Sequence, residues 1–256
     1  MKPNFFKLII LLTLITFSSF IYNSHNAKDD GKLYEMRIYY APEGKLNDLH
    51  SRFRNHTLKL FEKHGMENIG YWVPMENTEN KLIYILAFPN KEAREKAWKD
   101  FIDDPAWKKV HVASERQGKL VDRIESILMK NTDFSPQPVK NASEDSRVFE
   151  LRTYKSPPGK LNDLMGRFRN HTINLFTKHG MEHIGYWQPL DKEQGAENTL
   201  IYILAHESKE AAEQSFTSFR VDTDWIAAKE ASEAEGPIVE NVESLFMVPT
   251  DYSQIK

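Results

Sequence analysis

Arg52 to Trp72 reads RFRNHTLKLFEKHGMENIGYW and Arg167 to Trp187 reads RFRNHTINLFTKHGMEHIGYW, so the chain carries one stretch twice at an offset of 115 residues. The match extends upstream at the same offset, where YEMRIYYAPEGKLNDL from Tyr34 aligns with FELRTYKSPPGKLNDL from Phe149. Beyond Trp72 the second copy gains three residues: Leu82 pairs with Leu200 at an offset of 118, and the match runs on through Trp107/Trp225, Gly118/Gly236, Glu125/Glu243 and Met129/Met247. A period of this length is a small domain, too long for a solenoid repeat. The sequence therefore divides into a unit over 31–135, a polar, proline-bearing linker over 136–146 and a second unit over 147–253.

Each unit reads as β-α-β-β-α-β. Tyr34 to Tyr40 alternates as a strand, with Tyr34, Met36 and Ile38 on one face and Glu35, Arg37 and Tyr39 on the other. After a turn at Ala41 to Gly44, apolar residues Leu46, Leu49, Phe53, Leu60 and Phe61 recur at helical spacing up to His64, where Gly65 supplies a left-handed cap. Two strands follow, over 68–73 and 82–88, and the three extra residues of copy two fall near Gln194 in the loop between them, as a hairpin tip tolerates. Helical spacing at Ala93, Ala97, Trp98 and Phe101, a second short helix around Trp107, and a strand over 121–129 complete the unit. This order is the ferredoxin-like α+β arrangement, with helices on one face of an antiparallel sheet. The expectation is that the helices cover the Tyr34 face, and that the two units bury their Arg37 and Arg152 faces, with Tyr39, Tyr84, Ile127 and Met129, against each other as a barrel or against a second chain as a homo-oligomer.

The formal net charge of −3 over 256 residues provides no basic field for nucleic acid. Cysteine is absent, which removes disulfides, thiolate metal sites and cysteine nucleophiles, and which suits an oxidising compartment. Lys2 and Lys7 precede an apolar run from Leu8 to Tyr22, so 1–27 reads as a signal peptide directing the chain to the periplasm or the exterior. An uncleaved anchor is the alternative, although a run of about 15 residues is short of the roughly 20 that span a bilayer.

With YEMRIYY, FEKHGM and IGYW in place in both copies, the chain resembles the NIPSNAP family, whose domains look like the dimeric α+β barrel superfamily. The resemblance implies the fold more firmly than an activity. Its members largely lack an assigned reaction, and the eukaryotic ones are associated with mitochondria and with vesicle or autophagy roles. The wider superfamily includes cofactor-free monooxygenases, small-ring isomerases and haem-binding enzymes, with sites between sheet and helices, which is an analogy of fold.

Among individual residues, His56 and His171 fall beside the apolar stripe of the first helix, where each is either a catalytic base or a hydrogen-bonded core histidine. His64 and His179 close that helix, either binding a ligand or bonding its terminal carbonyls. Arg37 and Arg152 pair with Glu125 and Glu243 in the unit interface, or hold an anionic ligand. Tyr71 and Tyr186, with Trp72 and Trp187, stack on a flat ligand or fill the core. No histidine or carboxylate cluster has metal-ligand spacing, so no metal is expected and no cofactor is named, with haem or a metal left open. Two functions remain in view: a protein that binds or transforms a small organic molecule in a sheet–helix cleft, and a non-catalytic scaffold built from barrel interfaces.

Overall fold

A computed structural model of the chain describes residues 31–137 and 147–256, so the segment read as a signal peptide and most of the linker lie outside the described residues. The first unit runs β1 (Leu33–Tyr40), α1 (Leu46–Arg52), a π-turn (Phe53–Thr57), α2 (Leu58–Lys63), β2 (Glu67–Pro74), β3 (Lys81–Phe88), α3 (Lys91–Asp103), α4 (Pro105–Ser114) and β4 (Arg123–Asn131). The second repeats it as β5 (Val148–Lys155), α5 (Leu161–Arg167), a π-turn (Phe168–Thr172), α6 (Ile173–Lys178), β6 (Glu182–Pro189), β7 (Thr199–His206), α7 (Lys209–Arg220), α8 (Thr223–Ser232) and β8 (Asn241–Pro249). The extra residues of copy two form a single 3₁₀ turn, Lys192–Gln194, inside the β6–β7 hairpin loop.

All strand pairs are antiparallel. β1 lies between β3 and β4, β2 flanks β3, and the second unit has the same order. The outer strands then meet across the units, β2 with β8 from Trp72↔Pro249 and β4 with β6 from Met129↔Pro189, closing an eight-stranded barrel that leaves no edge unpaired.

The barrel forms within one chain, but by the opposite faces to those expected. Tyr34, Met36, Ile83, Ile85 and Met129 meet Phe149, Leu151, Ile201, Ile203 and Met247 inside it, with Trp72 and Trp187, both fully buried, between the two sets. Of the residues assigned to the Arg37 face, Ile127 and Met129 point into this interior, whereas Tyr39 and Tyr84 pack under the helices with Leu49, Phe53, Phe61 and Phe101. Arg37 and Arg152 lie on that helix side too. Both faces of the sheet are buried, so alternation separates two kinds of core rather than core from surface. The apolar face enters the barrel, and the charged face goes under α3 and α7, where side chains can answer the charges.

Local sequence enforces these shapes. Gly65 and Gly180 both have φ 77°, the left-handed cap that ends the first helix of each unit. Gly70 follows a bulge in β2, and the Trp72 indole folds back over it so closely that an added Cβ would lie 2.2 Å from the ring. The same holds for Gly185 and Trp187, at 2.3 Å, which explains why glycine precedes Tyr-Trp in both copies.

A short arm after the last strand of each unit crosses to the other unit. Thr132-Asp133-Phe134-Ser135 lies on the second unit: the Thr132 N–H donates to the Tyr186 carbonyl, the Tyr186 N–H donates to Ser135 Oγ, Arg169 grips Asp133 at 2.6 and 2.7 Å, and Phe134 stacks on Phe168. Thr250-Asp251-Tyr252-Ser253 returns the arrangement to the first unit, through Tyr71, Arg54 and Phe53. The equivalence of these arms continues the offset of 118 past Met129/Met247.

Candidate ligand pocket

The first helix of each unit carries a five-residue π-turn in its middle, visible in the bond from the Leu58 N–H to the Phe53 carbonyl. Thr57 Oγ1 also donates to the Arg52 carbonyl at 3.2 Å. Such turns occur frequently at functional sites, and this one shifts the facing of the residues within and after it. His56 and His171 are consequently exposed and do not enter the sheet–helix space. They border open grooves beside α4 and α8, of about 720 and 510 Å³. Arg52 and Arg167, immediately before the π-turns, point inward with side chains 4% and 3% exposed.

Beneath the helices of the first unit lies a pocket of about 450 Å³, within the range of small-molecule sites. Its walls come from β1 (Tyr39), the π-turn and α2 (Phe53, Thr57, Phe61), α3 (Phe101) and α4 (Trp107), with Val121 and Ile124 toward the last strand. Phe101 and Trp107 pack at a centroid distance of 4.4 Å. Polar groups are Arg52, His111, Glu115, Lys119 and Asp122. Arg52 Nη1 donates to Glu115 Oε1 at 3.0 Å, and the guanidinium sits 5.4 Å from the Trp107 ring. Sequence reasoning passed over Arg52, although the signal was there: at Leu49 + 3 it is a charged residue on an apolar helical stripe.

One end of this arrangement is anchored by a buried carboxylate. Glu35, fully buried, accepts from Arg37 at 2.6 Å, from Ser126 at 2.7 Å, from Arg94 at 2.8 and 2.9 Å, and from the Trp98 indole at 2.8 Å. Burial pushes its pKa up, but Arg94, Arg37, Ser126 and Trp98 outweigh this and bring it from the ordinary 4.5 to about 2. The Arg37 guanidinium sits over Trp98 at 4.3 Å and within 5.5 Å of Tyr39, so the network fixes β1 against α3 next to the pocket. The predicted partnership of Arg37 with Glu125 is therefore corrected, since Arg37 bonds Glu35 two residues away on its own strand. Glu125 is at the surface with Tyr40 and Arg123, and Glu243 is exposed beside Asn241.

In the second unit Ala212 and Phe216 stand where Arg94 and Trp98 stand in the first, and His206 replaces Phe88. Glu150 keeps Arg152 and Ser244, each at 2.5 Å, and Arg152 turns to Tyr202 and Tyr154 at 2.9 and 3.3 Å. His206 Nε2 is 3.5 Å from Glu150 Oε2, and neither atom has a hydrogen-bond partner.

The remaining candidates hold the fold. His64 Nε2 bonds Asp104 at 2.8 Å, Lys63 reaches the same carboxylate at 2.6 Å, and Asp104 caps α4 through the Ala106 N–H. His179, Lys178 and Asp222 repeat this clamp, with Ser218 on the other ring nitrogen. Tyr71 is fully buried, its hydroxyl donating to Asn68, and Tyr186 shares a 2.7 Å bond with His183. His56 and His171 face solvent, while His64 and His179 are bonded to Asp104 and Asp222. Among the described residues no group of three or more His, Asp or Glu side chains gathers as a metal site would require.

Fold and site together define a two-unit α+β barrel with helices outside and a pocket under them. The NIPSNAP family model matches residues 34–136 and again 149–254. The chain belongs to the NIPSNAP family. A NipSnap homologue of Dictyostelium discoideum is 27% identical over 139 residues, 53% of this chain and 54% of that protein, so the match spans about half of that relative. NipSnap homologue 3B of Mus musculus is 24% identical over 231 residues, 90% of this chain and 88% of its own length. A solved structure of a candidate monooxygenase from Lactobacillus acidophilus superimposes with a TM-score of 0.54 at 12% identity, over 87% of this chain and 98% of that one, which shows a shared fold.

Proposed function

We propose that this NIPSNAP protein is exported and binds a small organic molecule in the sheet–helix pocket of its first unit. The observation that carries the reading is the 450 Å³ space itself, walled by Phe53, Phe61, Phe101 and Trp107 and edged by Arg52, His111, Glu115 and Lys119. Apolar walls with a few convergent polar groups are what a small-ligand site needs. The first unit is favoured because the second has Lys229 in place of His111 and Pro237 in place of Lys119. The leader read over 1–27 and the absence of cysteine support export.

A fragment library screened by thermal shift tests it. Hits that stabilise the parent are expected to lose their effect in a variant whose pocket is filled, Thr57→Phe, and to keep it in His56→Ala, whose side chain is outside. Hits indifferent to Thr57→Phe would contradict the proposal.

A further inference from the structure

The two units differ in charge at one matched element. Over 105–119, which holds α4 and the turn after it, Lys108, Lys109, Arg116 and Lys119 stand against Glu115, a formal +3 with histidine neutral. Over the matching 223–237, Asp224, Glu230, Glu233 and Glu235 stand against Lys229, a formal −3. The neighbouring helices show no such contrast, since α3 and α7 are each formally neutral. Glu115 and Glu233 are engaged alike in both units, by Arg52 and Arg167. Lys109, Arg116 and Lys119 on one face, and Glu230 and Glu235 on the other, are exposed and form no ion pair among the described residues. Lys108 reaches Asp103 only at 3.5 Å, and Asp224 reaches Lys178 at 3.4 Å. Each face also bares an aliphatic side chain. Val112 is 67% exposed, one helical turn from both Lys108 and Arg116, and Ile226 is 41% exposed, one turn from Glu230.

We propose that the α4 face of one copy docks on the α8 face of a second copy, so that the protein associates head to tail. Within one chain these faces do not meet: α4 packs on α1 and α3, α8 packs on α5 and α7, and the helices of the two units cover opposite halves of the closed sheet. A copy that fills one face therefore leaves the other free, which is the heterologous geometry of rings and filaments. Like faces repel, α4 against α4 and α8 against α8, and this fixes the pairing. The occupant is a second copy because the chain itself carries both members of the complementary pair, at matched positions of its two units. One helix pair is small beside the roughly 1,600 Å² of a standard interface, so the contact is weak and salt-sensitive.

Sedimentation velocity of the full chain over a range of concentrations, in low salt and in about 0.5 M sodium chloride, tests the pairing. The parent is expected to sediment as species larger than the monomer in low salt, increasingly so with concentration, and to return toward the monomer in high salt. Two double variants, Lys109→Glu with Arg116→Glu and Glu230→Lys with Glu235→Lys, should each associate at least about tenfold more weakly. All four side chains are exposed, so both cores stay intact, and circular dichroism checks this. Mixing the two variants brings opposite charges back together and should restore association, which a loss of folding would not do. A parent that stays monomeric in low salt would overturn the proposal. So would association that persists in high salt or is indifferent to both variants, the behaviour of an apolar contact elsewhere in the chain. Association lost in both variants and not regained on mixing would overturn the head-to-tail pairing.

Discussion

Replacing Glu35 with glutamine is expected to lower unfolding stability by about 3–5 kcal/mol at neutral pH, the usual cost of breaking a buried charge network from one side. The variant leaves Arg37 and Arg94, with side chains 12% and 22% exposed, without the carboxylate that both address. Glu150→Gln in the second unit should cost less, about 1–2 kcal/mol, the scale of one or two lost hydrogen bonds. There Ala212 has removed one cation and Arg152 retains Tyr202 and Tyr154. Urea unfolding of both variants beside the parent checks the order, and equal losses would show that the Arg94 bonds contribute nothing. The effect also has a pH signature. Because the folded pKa of Glu35 is depressed from 4.5 to about 2, its contribution is complete above pH 4.5 and disappears as pH falls toward 2. A shift of that size corresponds to about 3 kcal/mol. The acid limb of the stability curve should therefore be shallower in Glu35→Gln, with the difference from the parent closing between those values.

Deleting the last seven residues, 250–256, should cost about 4–6 kcal/mol, because the returning arm is packed and not merely tethered. Ile255 is fully buried in the barrel core, Ser253 Oγ accepts from the Tyr71 N–H, and Tyr252 is within ring contact of both Phe53 and Tyr71. The ion pair of Arg54 with Asp251 is bidentate but exposed, so Asp251→Asn should cost about 1 kcal/mol or less. Hydrogen exchange should locate the damage in β2 and in the helix over 46–63. These carry Tyr71 and Phe53, and the latter is a wall of the pocket. Unchanged protection there would mean that the arm does not hold the first unit in place.

The duplication and the β-α-β-β-α-β order were legible because two long matches fix the repeat and because unit-sized segments carry clear periodicity; a barrel was expected too, with pairing inside one chain or across two both in view. Two features were not. Helix-wheel spacing placed His56 inward, but it assumes a constant 100° per residue, and the π-turn over Phe53–Thr57 breaks that assumption within the segment that holds His56. The face of Arg37 was misassigned because alternation reports that two faces differ, not which covering each receives. The helix that covers it brings Arg94 and Trp98, which are distant in sequence. The arms were legible and were overlooked: TDFS from Thr132 and TDYS from Thr250 align at the same offset of 118.

The chain's five tryptophans make a direct test of the ligand reading. Trp72 and Trp187 are in the barrel, Trp98 is on Glu35, Trp107 lines the pocket, and Trp225 holds the matching place in the second unit. Labelling them with 5-fluorotryptophan and titrating a fragment that stabilises the parent in the thermal-shift screen, while following the fluorine spectrum, reads all five positions at once. A saturable shift of the Trp107 resonance, with Trp72 and Trp187 unmoved and Trp225 responding less, is the predicted result. A spectrum in which Trp107 stays still while another tryptophan titrates, or in which none does, would contradict it.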